Sequence, residues 1–308
     1  MAKGEINNKV FHDEAKARQW LEAQLWPDGT ICPECGTVDN ATSIATRKGW
    51  YQCNTKECRK QFSVTIGTLF ERSHIPLNKW LLVAFLMCAS KKGISTHQLH
   101  RMIGVSYKST WFMTHRLREA MREGKFPGGL GGANKVVEAD ETYVGGKSKN
   151  RKRKVPPKEA VVSLVERDGL VRSFHVPSVS AKTLRPILVS QIDRASYLMT
   201  DEAGSYVKVG REFVGHGTVN HSIQEYVRGG FWHTNTVENY FSILKRGITG
   251  TYHHVSQQHL KRYLAEFDFR YNERSGLGVS DAERTAKMLR GIVGKRLTYR
   301  RAGETTNA

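Results

Sequence analysis

The sequence predicts a mixed α/β domain that is preceded by a zinc ribbon and a small helical domain. Three observations support this fold class: two close cysteine pairs near the N-terminus, a short and a longer helical segment joined at a glycine, and apparent strands that alternate with helices in the second half. These signals divide the chain into a zinc ribbon region over residues 1–70, a helix-turn-helix over 71–126, a glycine-rich linker over 127–134, the mixed sheet domain over 135–275 and a tail over 276–308.

The composition is that of a strongly basic globular protein. Hydrophobic residues make up 39% of the 308 positions, and 48 Lys and Arg against 29 Asp and Glu give a formal net charge of +19. Such a surplus predicts a polyanionic partner, although DNA-acting, ribosomal and membrane-surface proteins share it. The N-terminus lacks the apolar core of a secretion signal, and the longest apolar run, at residues 80–89, is about half of a membrane span. We therefore expect a cytoplasmic protein with no membrane segment.

The cysteine pairs have the spacing of a zinc ribbon. They occur as CPEC at residues 32–35 and CNTKEC at 53–58, and in a reducing compartment such pairs are better metal ligands than disulfide partners. The alternative is a set of unrelated buried cysteines. Cys88 lies within the apolar run and is expected to be a core residue. The expected ligands of a structural Zn²⁺ are Cys32, Cys35, Cys53 and Cys58.

The next segments have the pattern of a helix-turn-helix. Ser95 and Gln98 form a capping box that opens a short helix, Gly104 ends it, and Ser106 is suited to cap a longer amphipathic helix. An ordinary helical bundle that contacts nothing is the alternative, but the ribbon and the charge favour DNA. On the DNA-binding model, the residues at the start of the recognition helix that reach bases are Tyr107, Lys108, Ser109 and Thr110.

The second half predicts a mixed sheet covered by helices. Its apparent elements are strands at 135–144, 160–167 and 171–176, a helix at 181–192, a strand at 195–200, a helix from about 204, a short strand near 218 and a helix after 235.

Two aspartates occupy the positions where such sheets carry chemistry. Asp140 lies inside an otherwise apolar strand, where a carboxylate is costly unless it is paired or binds a cation. Its neighbour Glu141 points to the opposite face, since side chains alternate along a strand. Asp201 ends another strand, where open α/β sheets place their sites, although an aspartate there is often only a turn residue.

Glu238 has two interpretations. With Asn235 three residues earlier it matches a capping box, and with the two aspartates it completes a set of three acids that suits Mg²⁺. Two such ions, roughly 3.5–4 Å apart, support phosphodiester transfer. Lys245 lies about two turns further along the same helix face, where it is suited to hold a DNA phosphate.

Several motifs resemble those of a known family. The ribbon cysteines and the segments ADETYVGGK, MTDEAGSY, HTNTVENYFSILKRGITGTYHHVS and HLKRYLAEFDFRYNER are similar to the DDE transposases of bacterial insertion sequences, in the zinc-ribbon group related to eukaryotic Merlin elements. The resemblance covers about residues 15–290. It implies a ribonuclease-H-like catalytic fold, dependence on Mg²⁺ or Mn²⁺, and DNA cleavage and strand transfer between terminal inverted repeats and a target.

Carried over residue by residue, the resemblance assigns most of the site. Asp140 and Asp201 match the first two acids, and Lys245 matches the basic residue after the third. Parts of the group are described with Asn at the third position, so Asn235 stands in reserve to Glu238. A carboxylate binds Mg²⁺ more strongly than an amide, which favours Glu238.

A basic segment after the first acid is a candidate DNA clamp. A solvated flexible loop is the alternative for this stretch. The residues expected to hold the phosphate backbone are Lys147, Lys149, Arg151, Lys152, Arg153 and Lys154.

The expected partners are double-stranded DNA, as element ends and as target, and a second copy of the chain. Because transposition joins two ends, a homodimer or larger assembly is expected on DNA, at the nucleoid. The alternative from another class is a non-catalytic DNA-binding regulator that uses the second domain for assembly only. All three candidate acids are present, which favours the enzyme.

Overall fold

The chain forms two compact units, one of which is discontinuous in sequence. The computed structural model describes residues 5–122, 129–145, 158–201, 203–219 and 233–298. The first unit combines Met1–Arg122 with Ser275–Ala308, and the second is Glu123–Arg274.

The first unit begins with a helix that the sequence analysis did not anticipate, followed by a small antiparallel sheet. Helix α1 spans Glu14–Leu25 and starts at Asp13, whose carboxylate accepts hydrogen bonds from the next backbone N–H groups. The sheet consists of β1 (Ala41–Ser43), β2 (Tyr51–Cys53) and β3 (Gln61–Phe62) in that order. Two of the four cysteines are buried beside the Phe62 ring, so the ribbon has its own small core.

Three helices follow, the second and third of which the sequence predicts. They are α2 (Leu77–Ala89), α3 (Thr96–Ile103) and α4 (Tyr107–Met121). Ser95 and Ser106 cap α3 and α4 through their side chains, and Gly104 takes the left-handed conformation, φ 61°, that ends α3.

The residues after 275 form part of the first unit, whereas the sequence analysis assigned 276–308 to a tail. Helix α9 spans Asp281–Arg290 and opens with a complete capping box between Ser280 and Glu283. Helix α9 contacts α1, α2 and α4. The guanidinium of Arg284, on this helix, donates a hydrogen bond to the backbone carbonyl of Cys88 at 2.9 Å. Met288 and Leu289 are fully buried, so this helix completes the core around α2.

The second unit contains a five-stranded mixed sheet. Its strands are β4 (Val136–Val144), β5 (Glu159–Glu166), β6 (Val171–Val176), β7 (Tyr197–Asp201) and β8 (Gly215–Val219), in the order β6-β5-β4-β7-β8. The first three strands pair antiparallel, and β4, β7 and β8 pair parallel. This is the mixed sheet that the sequence predicts.

Helices cover both faces of this sheet. Helices α5 (Ala181–Gln191) and α6 (Gly204–Gly210) pack on one face, and α7 (Asn235–Gly247) and α8 (Gln257–Asn272) pack on the other. A π-helical turn, Ile248–Tyr252, follows α7 directly. Throughout the described part of the chain, each helix is too short or too polar to cross a membrane.

Because α9 closes the core of the first unit, we expect Leu289→Ala to destabilise the protein by about 2–5 kcal/mol, the usual cost of a buried Leu→Ala cavity. Urea unfolding measures this change. The matched control is Lys287→Ala on the exposed face of the same helix, which should stay within about 0.5 kcal/mol of wild type. Equal, small effects of both substitutions would contradict a structural role for α9.

Candidate active site and metal centre

The four ribbon cysteines converge on one point. The Sγ atoms of Cys32 and Cys58 are 3.7 Å apart, as are those of Cys35 and Cys53, and all four lie within 4.8 Å of one another. A tetrahedron with Zn–S bonds of 2.3 Å has S···S edges of about 3.8 Å. The cluster therefore fits a structural Zn²⁺.

Local hydrogen bonds favour the thiolate form of Cys35. The side chain and backbone of Thr37 hydrogen-bond to Cys35 and lower the pKa of its thiol to about 6. A lower pKa helps metal binding because the ligand is the deprotonated sulfur.

The two strand aspartates lie side by side. Parallel pairing of β4 and β7 places Val137 beside Leu198 and Glu138 beside Met199. The same offset, continued by two residues, aligns Asp140 with Asp201 on strands about 5 Å apart. Residues in register on neighbouring strands point to the same face, so the two carboxylates share one side of the sheet.

That side is the one covered by α7. Val137 and Ala139 pack against α5 and α6, which leaves Glu138 and Asp140 facing α7 and α8. Glu141 points the other way, as expected, and accepts a hydrogen bond from the Tyr206 hydroxyl at 2.7 Å. It therefore belongs to the opposite face.

Asp140 is held in an unfavourable electrostatic environment. Burial raises the pKa of its carboxyl to about 7, against the effect of a hydrogen bond from the Glu141 backbone N–H. The charges of Asp201, Glu141 and Glu238 contribute to the same upward shift. Glu238, the third candidate acid, is therefore close enough to Asp140 for their charges to interact.

Glu238 lies on the exposed face of α7, in its first turn. The helix begins at Asn235, and its N-cap residue is Thr234, which makes no side-chain capping hydrogen bond. The Thr234 hydroxyl instead donates to the Glu238 carboxylate at 3.1 Å. The predicted capping box between Asn235 and Glu238 is therefore wrong, because Asn235 lies inside the helix and Thr234 occupies the N-cap position.

The N-terminus of α7 is capped by a residue that the sequence analysis missed. Glu138, fully buried on β4, accepts hydrogen bonds from the backbone N–H groups of Thr236 at 2.8 Å and Val237 at 3.0 Å. The available signal was its position: it is a second carboxylate on the same apolar strand and face as Asp140, where burial demands a partner.

The remaining candidates are less closely grouped. Asn235 and Lys245 are exposed on α7, and Lys245 lies about two turns beyond Glu238.

In the first unit, the Tyr107 ring is 43% exposed and stacks on His97 with centroids 4.3 Å apart. Lys108 is exposed and Ser109 is half-buried. Thr110 is fully buried, so the expectation that it reaches bases is wrong: its hydroxyl donates a hydrogen bond to the backbone carbonyl of Ser106 at 3.0 Å. The basic segment from Lys147 to Lys149 and from 151 to 154 lies outside the described residues.

Comparisons with known proteins place the cysteine cluster and the mixed sheet in two transposase domains. An ISXO2-like transposase domain matches residues 130–272, and a transposase zinc-ribbon domain matches residues 12–61. A protein of Halobacterium salinarum, described as an uncharacterized protein in the transposable element ISH50, is 27% identical over 285 residues, which cover 85% of this chain and 92% of that protein.

Solved structures give only distant resemblances. A Mos1 transposase paired-end complex with its left transposon end has a TM-score of 0.30 at 14% identity, over 65% of this chain and 70% of that chain. An intasome of simian T-cell lymphotropic virus has a TM-score of 0.29 at 15% identity, over 55% of this chain and 63% of that chain. At TM-scores this low, neither structure supports a conclusion about this chain.

The chain belongs to the ISXO2-like transposases that carry an N-terminal zinc ribbon. Transposases of this class cut DNA and transfer the cut strand, so the protein is an enzyme that acts on DNA.

Zinc retention tests the cysteine cluster. We expect Cys53→Ser to reduce bound zinc from about one ion per chain to near zero and to lower the thermal stability of the first unit, since structural zinc contributes directly to folding. Metal analysis of the purified protein measures the change. Cys88→Ala is the control, because its sulfur lies beside Met288 and outside the cluster. Full zinc content in Cys53→Ser would refute the assignment.

The pH dependence of stability tests the environment of Asp140. Its pKa of about 7 in the folded chain exceeds the ordinary value of 3.8, so the folded state binds this proton more tightly than the unfolded state. The resulting stability is present below about pH 4 and is lost as the pH rises through 7. Asp140→Asn should therefore stabilise the metal-free protein at pH 8, by on the order of 2 kcal/mol, and progressively less towards pH 4. Denaturant unfolding at several pH values measures this, and a pH-independent difference would contradict it.

Proposed function

We propose that this transposase cleaves DNA at the ends of its own insertion element and joins them to a target, using Asp140, Asp201 and Glu238 to hold catalytic Mg²⁺ or Mn²⁺. The single observation that carries the proposal is the β4–β7 register, which aligns the two aspartates on the face covered by α7. Electrostatic coupling between Asp140 and Glu238 adds the third acid.

The donor set fits hard divalent cations. Carboxylate oxygens are the ligands that Mg²⁺ prefers, and Asp140 lies among like charges that a cation would neutralise. Among the residues that the structure describes, the four cysteines are the only group of three or more His, Cys, Asp or Glu residues whose ligand atoms come close enough to share one ion. The three acids do not form such a group, and a pair of divalent ions would suit them better than a single one. When bound, such ions activate the attacking oxygen and stabilise the leaving one.

The protein's own groups prepare and orient the reaction. Asp140 must lose its proton to serve as a ligand, so metal affinity should rise as the pH approaches 7. Lys245 projects from the exposed face of α7, where its ammonium suits a DNA phosphate. The expected chemistry is hydrolysis that frees a 3′-OH, followed by attack of that hydroxyl on a target phosphodiester.

The first unit is proposed to recognise the terminal inverted repeats. The exposed Tyr107 and Lys108 lie at the start of α4, the position from which a recognition helix reaches bases. The basic residues between 147 and 154 supply a phosphate clamp, and the net charge of +19 favours encounter with DNA. Because two ends are joined, the active form is proposed to be a homodimer or a larger assembly on nucleoid DNA.

A non-catalytic DNA-binding regulator is the rival. It would share the ribbon and the helix-turn-helix, but it would have no need for acids aligned across two strands. The transposase domain match over residues 130–272 and the aligned aspartates both favour the enzyme.

Excision from a supercoiled plasmid with Mg²⁺ tests the site. We expect Asp201→Asn and Glu238→Gln to reduce cleavage by more than the 10–100-fold that is typical of losing an outer partner of a metal ligand, while binding of terminal-repeat DNA is kept. Asn235→Ala tests the reserve ligand and should retain most activity.

Near-normal cleavage by Asp201→Asn would overturn the assignment of that residue. A dead Asn235→Ala protein beside an active Glu238→Gln protein would move the third ligand to Asn235.

A further inference from the structure

Glu138 is a fully buried carboxylate that the proposed reaction does not use. It lies two residues before Asp140 on β4, points to the same face of the sheet and has 0% of its surface exposed. Burying a carboxylate is expensive unless hydrogen bonds or opposite charges compensate, so its partners indicate its role.

Its first partners form the N-terminus of α7. The carboxylate accepts hydrogen bonds from the N–H of Thr236 at 2.8 Å, the N–H of Val237 at 3.0 Å and the hydroxyl of Thr236 at 2.9 Å. These N–H groups have no partner within the helix, and the N-cap residue supplies no side-chain substitute. A residue of the sheet therefore caps this helix, and its negative charge also favours the positive end of the helix dipole.

The second partner fixes the carboxylate itself. Arg167, in the turn between β5 and β6, donates from Nε to Glu138 at 2.7 Å and from a terminal nitrogen to the carbonyl of His233 at 2.9 Å. The Arg167 backbone N–H also donates to the carbonyl of Val136 at 3.0 Å. The His233 ring also approaches the carboxylate, with its Nδ1 3.3 Å from Glu138 Oε1. These contacts tie the strand, the turn and the segment entering α7 together.

We propose that Glu138 is a positioning residue that holds the first turn of α7 against β4 and thereby sets Glu238 beside Asp140. The connection is short on both sides. Glu138 and Asp140 are separated by roughly 7 Å of strand, and Val237, which Glu138 binds, directly precedes Glu238. Glu138 acts through Glu238 rather than by touching DNA or metal, so this inference rests on the proposed role of the three acids.

Hydrogen exchange in the metal-free protein tests the contact directly. In Glu138→Gln the amide keeps one acceptor oxygen but loses the charge, so the N–H groups of Thr236 and Val237 should exchange at least about tenfold faster. The matched control is Glu166→Gln, a carboxylate of the same sheet that accepts from the N–H of Gly131. It should leave exchange in α7 unchanged. Unchanged exchange in a folded Glu138→Gln protein would overturn the proposal.

A double-mutant cycle on Mn²⁺ affinity separates positioning from general stabilisation. Glu138→Gln should weaken Mn²⁺ binding about 10–100-fold, and in a Glu238→Gln background the same change should weaken it no further. If Glu138 only stabilised the fold, Glu138→Gln would lower the melting temperature and leave the Mn²⁺ affinity of the folded protein unaltered. That result would overturn the proposal. Fully additive losses of Mn²⁺ affinity in the double variant would also overturn it.

A milder variant keeps the test valid if Glu138→Gln does not fold. Thr236→Val removes only the hydroxyl donor to Glu138 and should give a smaller loss in the same direction, again absent in the Glu238→Gln background. Equal losses with and without Glu238 would overturn the proposal. If Glu238→Gln alone leaves Mn²⁺ affinity and cleavage intact, the proposed function fails at that residue, whereas the exchange result still reports whether Glu138 holds the helix.

Discussion

Strand β4 imposes the constraint on which the second unit depends: it runs through the middle of an apolar sheet and carries carboxylates on both faces. Alternation sends Glu138 and Asp140 towards α7 and Glu141 towards α6. Each of these carboxylates is partly or fully removed from water and needs compensation, which each obtains differently. Glu138 has a guanidinium and a helix end, Glu141 has a tyrosine hydroxyl, and Asp140 is surrounded mainly by other acids. The group with the least compensation is the one suited to a cation.

Much of this arrangement could be predicted from the sequence because the signals are local. The cysteine spacing specifies a ribbon, and an aspartate inside an apolar strand is visible without a structure. The strand order is less local, but three strands followed by alternating helix and strand leave few topologies. The alignment of Asp140 with Asp201 then follows from parallel pairing, although only the structure supplies the register.

The errors arose where a distant residue overrides a local pattern. Asn235 and Glu238 match a capping box by spacing, yet the carboxylate that caps α7 is on β4, nearly a hundred positions earlier in the chain. Sequence periodicity contains no information about such a partner. Helix α9 illustrates the same limit: its capping box is visible at Ser280 and Glu283, but the surface that its apolar face covers belongs to helices near the start of the chain.

The return of α9 to the first unit has a consequence for biosynthesis. The second unit is continuous in sequence and precedes α9, so it can fold while the chain is still being synthesised. The core around α2, in contrast, lacks one of its packing helices until residues 281–290 have left the ribosome. The first unit therefore remains incomplete after the second unit has folded. A growing chain that stalls before this helix would expose the apolar surface of α2 that α9 covers.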